Sequence, residues 1–165
     1  IRDNDPVMFF EHKMLYTTKF NDVPEVEEDV CIPFGRARIV AEGADITVVT
    51  NSMMTIKAEK AVRQLQKEGI SAELIDLRTI VPLDTETIIR SVKKTGKLLI
   101  VDEGHLSFGI TGEIASRIMP DVFYDLDAPI QRMGTADVPL PFSPALEFPL
   151  IPDEKKIAAK IREMV

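Results

Sequence analysis

A glycine-rich turn is the first feature of this chain whose residue types and spacing could do chemistry. Gly104, Gly109 and Gly112 stand between a predicted strand and a predicted helix, where backbone N–H groups can hold an anion. Their spacing matches neither the dinucleotide-binding fingerprint nor the P-loop. The alternative explanation is that these glycines allow a tight turn and close packing of the helix on the strand.

Acidic residues and histidines are the other candidates for chemistry. Asp102 and Glu103 stand at the carboxyl end of the predicted strand, where open α/β sheets usually bind ligands, and His105 is close to them. A Glu–His pair could transfer a proton, but the simpler interpretation is that these acids end the strand and order the loop. His12 is interpreted as structural. No Ser–His–acid constellation or nucleophile elbow is visible, so the residues alone predict no complete active site.

Two aspartates near the start of the chain form an oxygen-rich turn. Asp3 and Asp5 could bind a hard cation together with backbone carbonyl groups, although such acids are usually solvated turn residues. Asp127, in the sequence DLDAPI, is on these grounds a loop acid. The pair Met53 and Met54 is interpreted as packing at a helix start, with partner binding as the alternative.

Composition limits the class of protein. The 165 residues are 45% hydrophobic, enough for one full domain with a core, and the formal net charge of -7 argues against a nucleic-acid partner. The single cysteine, Cys31, excludes an internal disulfide and a cysteine-based zinc site. No apolar run approaches the roughly 20 residues that span a bilayer, so we expect a soluble protein with no membrane partner.

Alternating strands and helices must position these residues. Hydrophobic patterns predict strands at 7–10, 46–50, 72–77, 98–101 and 130–133, and helices at 53–67, 85–94, 109–119 and 153–164. Residues 36–41 are predicted to be an extended arm, and the proline-rich residues 134–152 an ordered arm without regular structure. This order predicts an α/β fold of three layers, with a mostly parallel sheet and helices on both faces.

The start of the chain has features of its own. The sequence opens at Ile1 without a methionine and enters an apolar run almost at once, so we expect it to be part of a longer polypeptide. Residues 19–29 are acidic, contain a proline and show no periodicity, which is typical of a linker.

Motifs along almost the whole chain resemble one known family. They are RDNDPVMFFEHKMLY, IPFGRARIVAEGADITVVT, KEGISAELIDLRTIVPLDTETIIRSVKKTGKLLIVDEG, FGITGEIASRIM, LDAPIQRMGTADVPLPFSPALE and IPDEKKI. They resemble the C-terminal half of the beta subunit of the thiamine-diphosphate-dependent decarboxylase component of 2-oxoacid dehydrogenase complexes. This group includes the pyruvate, branched-chain 2-oxoacid and acetoin dehydrogenases.

The resemblance implies a domain plan and a cofactor. Residues 1–16 would be the tail of a pyrimidine-binding domain, 17–33 a linker, and 34–165 a transketolase C-terminal-like domain. Thiamine diphosphate and magnesium would bind in the intact enzyme, between an alpha subunit and the first half of the beta subunit. No catalytic or cofactor-binding residue is therefore assigned to this chain, which by itself is predicted to be inactive.

The resemblance also implies partners and two groups of site residues. A structural potassium ion would be held by Ile1, through its carbonyl, with Asp3 and Asp5. Asp127 and Val165 would help to dock the peripheral subunit-binding domain of the acyltransferase core. The other partners would be the alpha subunit and a second beta subunit. The location would be the bacterial or archaeal cytoplasm, or the mitochondrial matrix in a eukaryote.

Two alternatives stay open from the sequence. One is the C-terminal domain of a transketolase or deoxyxylulose-phosphate synthase, which carries similar IDLR, PLD and DEG motifs but differs at FFEHKMLY and LDAPI. The other is a stand-alone α/β module that binds an anionic regulator through the turn at 104–112.

Overall fold

The computed structural model of the chain describes residues 3–18 and 30–165. The chain divides into two compact units, Ile1–Cys31 and Ile32–Val165. In the described part of the first unit, Lys13–Thr17 forms a short 3₁₀ turn, and His12 Nδ1 accepts a hydrogen bond from the Met14 N–H at 3.2 Å. The predicted linker at 19–29 lies outside the described residues.

The prediction of a strand at residues 7–10 is wrong. This segment has no strand assignment, and its large apolar side chains are exposed. An apolar run shows that burial would be favourable, but a strand also needs a neighbour that accepts and donates ladder hydrogen bonds. Among the described residues, none pairs with this segment in a sheet.

The second unit is built on a sheet of five strands. They are β1 (Arg38–Ala41), β2 (Ile46–Thr50), β3 (Ala72–Asp76), β4 (Leu98–His105) and β5 (Gln131–Thr135). The strand order is β1-β3-β2-β4-β5, and only the edge strand β1 is antiparallel to its neighbour. The expected mostly parallel sheet is confirmed, and the predicted extended arm at 36–41 contributes β1 to it.

Helices cover both faces of the sheet. They are α1 (Ser52–Lys67), α2 (Thr85–Thr95), α3 (Ile110–Val122), the single turn α4 (Pro144–Glu147) and α5 (Glu154–Met164). In the sheet, β3 lies on one side of β2, whereas β4 and then β5 lie on the other side. Right-handed crossovers therefore place α1 on one face and α2 and α3 on the other. Because α5 packs against α1, the expected three layers are confirmed.

The core follows the alternation of side chains along the strands. Val49, Ile75 and Ile100 are buried with Ile88 and Val92 of α2. The alternate positions, such as Val48 and Leu74, are buried towards α1 and α5. All five residues of β2 are buried, as expected for a central parallel strand covered on both faces.

Local capping sets both ends of α2, as the sequence predicts. Asp84 accepts hydrogen bonds from the Thr87 N–H at 3.1 Å and from the Ala37 N–H at 2.8 Å, so the cap also ties β1 to α2. Burial raises the pKa of the Asp84 carboxyl, but these hydrogen bonds outweigh it and leave the pKa below its ordinary value. Gly96 ends the helix at φ 69°.

Several boundaries differ from the prediction. Strand β4 continues to His105, because β5 pairs with it as far as the His105–Thr135 position after an irregularity in the ladder. Helix α3 runs two residues beyond Pro120. Residues 134–152 contain α4 and a 3₁₀ turn at Phe148–Leu150, so the expectation of no regular structure there is wrong. No helix in the described ranges is long and apolar enough to cross a bilayer.

Candidate functional site

Hydrogen bonds join the glycine turn to the segment that follows β5. His105 Nδ1 lies 2.9 Å from the Ala136 carbonyl oxygen. The backbone N–H and the hydroxyl of Ser107 donate to the Asp137 carboxylate at 3.3 and 2.5 Å. These two hydrogen bonds, with the nearby His105, hold the pKa of Asp137 below its ordinary value. These contacts hold the loop after β4 against the residues that follow β5.

The glycines of this turn serve close packing. A Cβ atom on Gly109 would lie 2.1 Å from the His105 carbonyl oxygen, and one on Gly104 would lie 2.7 Å from an Asp102 carboxylate oxygen. The Gly104 N–H already donates to Asp102 at 3.0 Å, and the Gly112 N–H to the Gly109 carbonyl at 3.1 Å. Because the protein itself accepts these N–H groups, the geometry supports packing and tight turning over anion binding.

The acids before the turn belong to a longer strand than expected. Asp102 and Glu103 do not end β4, which continues to His105. The Glu103 carbonyl accepts a hydrogen bond from the Thr135 hydroxyl at 2.5 Å, so a side chain of β5 joins the two strands where the ladder is irregular. The His105 ring is bound to the Ala136 carbonyl, which supports a structural role for it.

A segment that we call the edge arm, residues 136–152, runs along the carboxyl ends of the parallel strands. It begins beside the loop after β4, through the Ser107–Asp137 contact. It ends beside α1, where Lys57 Nζ donates to the Pro152 carbonyl at 3.0 Å. Since α1 follows β2, the path of the edge arm spans the ends of β4 and β2, where open α/β sheets usually bind ligands.

Each of the two predicted docking residues contacts the short link between α2 and β4, residues 96–97, at the amino end of β4. The Asp127 N–H donates to the Gly96 carbonyl at 2.8 Å, and a Cβ atom on Gly96 would lie 2.1 Å from an Asp127 carboxylate oxygen. Lys97 Nζ donates to the backbone oxygen of Val165 at 3.3 Å. Both residues therefore contact this link, but Val165 follows α5 on one face of the sheet and Asp127 follows α3 on the other.

Asp127 also lines an apolar groove that sequence reasoning missed. The groove lies between α3 and the segment before β5, and it is lined by Ala115, Met119, Phe123, Leu126, Asp127, Ala128, Pro129, Ile130 and Arg132. The spacing of Ala115, Met119 and Phe123 by four was the available signal, because it places all three on one side of a helix. The carboxylate of Asp127 and the guanidinium of Arg132 are the charged groups in this lining.

The remaining candidate residues are the aspartates near the start of the chain, the Met53–Met54 pair and Cys31. Asp3 Oδ1 accepts the Asp5 N–H at 2.9 Å, and both residues are exposed; Ile1 lies outside the described residues. Within the described ranges, no group of three or more His, Cys, Asp and Glu side chains could hold a metal ion. Met53 and Met54 are buried, which supports helix packing, and Cys31 is an exposed free thiol.

Comparisons with known proteins agree on one family of beta subunits. The chain is 47% identical over 164 residues to the pyruvate dehydrogenase E1 component subunit beta of Rickettsia felis, covering 99% of this chain and 49% of the relative. It is 42% identical over 165 residues to the 2-oxoisovalerate dehydrogenase subunit beta of Bacillus subtilis, covering 99% and 50%. It is 44% identical over 163 residues to the acetoin:2,6-dichlorophenolindophenol oxidoreductase subunit beta of Cupriavidus necator, covering 99% and 47%. These matches confirm the resemblance seen in the motifs.

A solved structure and a family profile agree with this fold. A split-gene transketolase, in an inactive beta4 tetramer, superimposes with a TM-score of 0.67 and 26% identity, covering 86% of this chain and 45% of that one. The profile of the transketolase C-terminal domain matches residues 35–157, from the turn before β1 into α5. The chain therefore belongs to the transketolase C-terminal domain family.

Proposed function

We propose that this chain is the assembly and docking part of the beta subunit of a thiamine-diphosphate-dependent 2-oxoacid or acetoin dehydrogenase. The observation that carries the proposal is the identity of 42–47% to three such beta subunits across 99% of the chain. The chain spans about half the length of these relatives. The intact enzyme, with an alpha subunit and a second beta subunit, would decarboxylate a 2-oxo acid or cleave acetoin and pass the acyl group to a lipoyl arm.

The described residues do not fit the cofactor. Thiamine diphosphate needs donors for its two phosphates and a divalent cation, but the glycine-turn N–H groups named above already have protein acceptors. The described ranges also bring together no group of three acidic or other metal-binding side chains. The cofactor and magnesium would therefore bind in other parts of the intact enzyme.

An activity assay tests the proposal that catalysis takes place in other parts of the enzyme. The purified 165-residue chain is supplied with thiamine diphosphate, Mg²⁺, a reducible dye and one of three substrates: pyruvate, 2-oxoisovalerate or acetoin. It should show no dye reduction above the rate without protein. The same assay on the full-length beta subunit combined with its alpha subunit is the positive control. Cofactor-dependent turnover by the 165-residue chain alone would refute the proposal.

Docking of the acyltransferase is the second part of the proposed function. Asp127 presents a carboxylate within a mostly apolar groove, whose other charged group is the guanidinium of Arg132. The peripheral subunit-binding domain is expected to be basic, and an acid beside an apolar surface offers such a partner both charge and buried area. Lys97, which follows the Gly96 that contacts Asp127, donates a hydrogen bond to the backbone oxygen of Val165.

Replacing Asp127 with alanine should weaken binding of the acyltransferase subunit-binding domain at least about tenfold, which is about 1.4 kcal/mol. The loss should shrink as salt rises, because the lost interaction is between opposite charges. Calorimetric titration of both proteins at two salt concentrations measures it. Asp121→Ala is the matched control, since it removes the same charge from an exposed position of α3 outside the groove. Equal affinity of wild type and Asp127→Ala would remove Asp127 from the proposal.

A potassium ion at the start of the chain is proposed for the intact beta subunit. The carbonyl of Ile1 and the carboxylates of Asp3 and Asp5 would hold it, since hard cations favour oxygen ligands. The unfolding temperature of the full-length subunit should then be higher in KCl than in NaCl of equal concentration.

Bacterial and mitochondrial relatives fit the proposed cytoplasmic or mitochondrial-matrix location.

A further inference from the structure

The two charged groups of the groove beside α3 stand towards opposite ends of that helix. Arg132 lies at its start, because a Cβ atom on Gly112 would lie 3.1 Å from Arg132 Nη1. The same nitrogen donates to the Leu106 carbonyl oxygen at 3.2 Å, which keeps the guanidinium there. Asp127 follows the end of α3, and its carboxylate lies beside Gly96. The groove therefore has a positive end and a negative end.

Both charges have the sign that the neighbouring helix dipoles disfavour. A helix carries partial positive charge at its N-terminus and partial negative charge at its C-terminus. Arg132 places a cation at the first turn of α3, and Asp127 places an anion beside Gly96, the residue that ends α2. Within the described ranges neither side chain forms an ion pair. Each end of the groove therefore attracts an opposite charge from another molecule.

An apolar surface lies between the two charges. Ala115, Met119 and Phe123 recur every fourth residue along α3, and Leu126–Ile130 forms the other wall. Phe123 is 61% exposed, so much of its ring is open to a partner. A row of apolar side chains at this spacing is the kind of surface against which a second helix packs. Amphipathic helices commonly bind partner proteins in such grooves.

We propose that the groove binds one amphipathic helix of the partner, antiparallel to α3, with a basic residue at Asp127 and an acidic residue at Arg132. This inference rests on the proposed function, which places acyltransferase docking at Asp127, and it adds the chemistry and direction of the docked segment. In the antiparallel arrangement the positive end of the partner helix meets Asp127 and its negative end meets Arg132. The reverse direction would place like charges together at both ends, so Arg132 disfavours it.

Calorimetric titration of the intact alpha–beta enzyme with the acyltransferase subunit-binding domain tests the role of Arg132. Arg132→Glu should weaken binding at least about tenfold, because it sets two acids against each other, and the loss should shrink as salt rises. Arg132→Lys, which keeps the charge, should bind within about threefold of wild type. The matched control is Arg117→Glu, the same change at an exposed position of α3 outside the groove, which should alter affinity less than about twofold.

A substitution in the apolar part of the groove separates packing from charge. Met119→Gln keeps the length and the neutrality of the half-buried side chain but makes its end polar. It should weaken binding about tenfold, because the partner helix loses apolar contact, and this loss should not change with salt. Circular dichroism of all four variants should show wild-type helix content, so that a loss of affinity reports the groove and not the fold.

Two results would overturn the inference. One is an Arg132→Glu enzyme that binds the domain as tightly as wild type or more tightly, since the partner would then present no acid at that end. The other is a Met119→Gln enzyme with unchanged affinity. If Asp127→Ala still weakens binding in either case, docking at Asp127 stands and only the antiparallel helix is wrong. A wild-type enzyme that does not bind the domain at all refutes both proposals.

Discussion

Replacing Lys94 with methionine should lower the free energy of unfolding by about 3 kcal/mol at neutral pH, the lower end of the range for breaking a buried ion pair. Lys94, on α2, bonds directly to the carboxylate of Glu73 on β3, whose side chain is only 2% exposed. The Lys94 side chain is 44% exposed, which is why the lower end of the range applies. Without the ammonium group, the Glu73 carboxylate stays buried near a second carboxylate, Glu42.

The loss should depend on pH in a defined direction. Burial raises the pKa of Glu73, but hydrogen bonds from Lys94, Ser91 and Gly43 outweigh it and leave the pKa below the ordinary 4.5. In the wild type this stabilisation is present above the unfolded-state pKa and is lost as the pH falls through the folded-state pKa. In Lys94→Met the buried carboxyl can take up a proton instead. The difference between the two proteins should therefore be largest near pH 7 and shrink below about pH 4.5.

Urea unfolding at pH 7 and at pH 4 measures both the loss and its pH dependence. Lys93→Met is the matched control, because it removes the adjacent charge. Its ammonium lies 3.8 Å from Asp125, and both side chains are substantially exposed. Such surface pairs contribute roughly 0–1 kcal/mol. Equal losses for the two variants, or a Lys94→Met loss that is the same at both pH values, would contradict the role given to the Glu73–Lys94 pair.

Replacing Gly43 with alanine should destabilise the second unit by about 3 kcal/mol or more, because there is no room for the added carbon. Its Cβ would lie 2.2 Å from both the Ala72 carbonyl carbon and the Glu73 nitrogen. These are backbone atoms at the start of β3, so the chain before β2 or the strand itself must move. Such a shift would also disturb the Gly43 N–H that faces the Glu73 carboxylate at 3.4 Å.

Gly69→Ala separates this steric effect from backbone strain. Gly69 ends α1 at φ 88°, where a side chain is unfavourable, but nothing lies within 4 Å of its added carbon. The expected loss there is about 1 kcal/mol, from the conformation alone. Urea unfolding of the two variants should therefore rank Gly43→Ala well above Gly69→Ala. The opposite order would show that β3 can move away from residue 43 at little cost.

Prediction from the sequence succeeded where the signals are local. The stripe of Met54, Ala58 and Leu65 predicts the buried side of α1, and these residues are buried. Asp84 and Gly96 cap α2 as predicted, because capping needs only residues close in sequence. The motifs also identified the relatives, since a match over nearly the whole chain leaves little room for coincidence.

Prediction failed where a second segment decides the outcome. Residues 7–10 have the composition of a buried strand, but the described residues supply no strand to pair with them. Strand β4 runs past its apolar part because β5 lies beside it, and no local pattern reports that neighbour. The groove beside Asp127 was missed for the same reason, since one wall comes from α3 and the other from the segment before β5.

By itself, the sequence determined the α/β class, the order of strands and helices from β2 to β5, the capping residues of α2 and the family, because periodicity, capping and motifs are properties of neighbouring residues. Only the tertiary structure decided that Asp127 contacts Gly96 beside an apolar groove, that Lys94 reaches Glu73, and that the edge arm lies across the carboxyl ends of β4 and β2. Each of these depends on how strands pair and helices cross over, which places residues distant in sequence side by side.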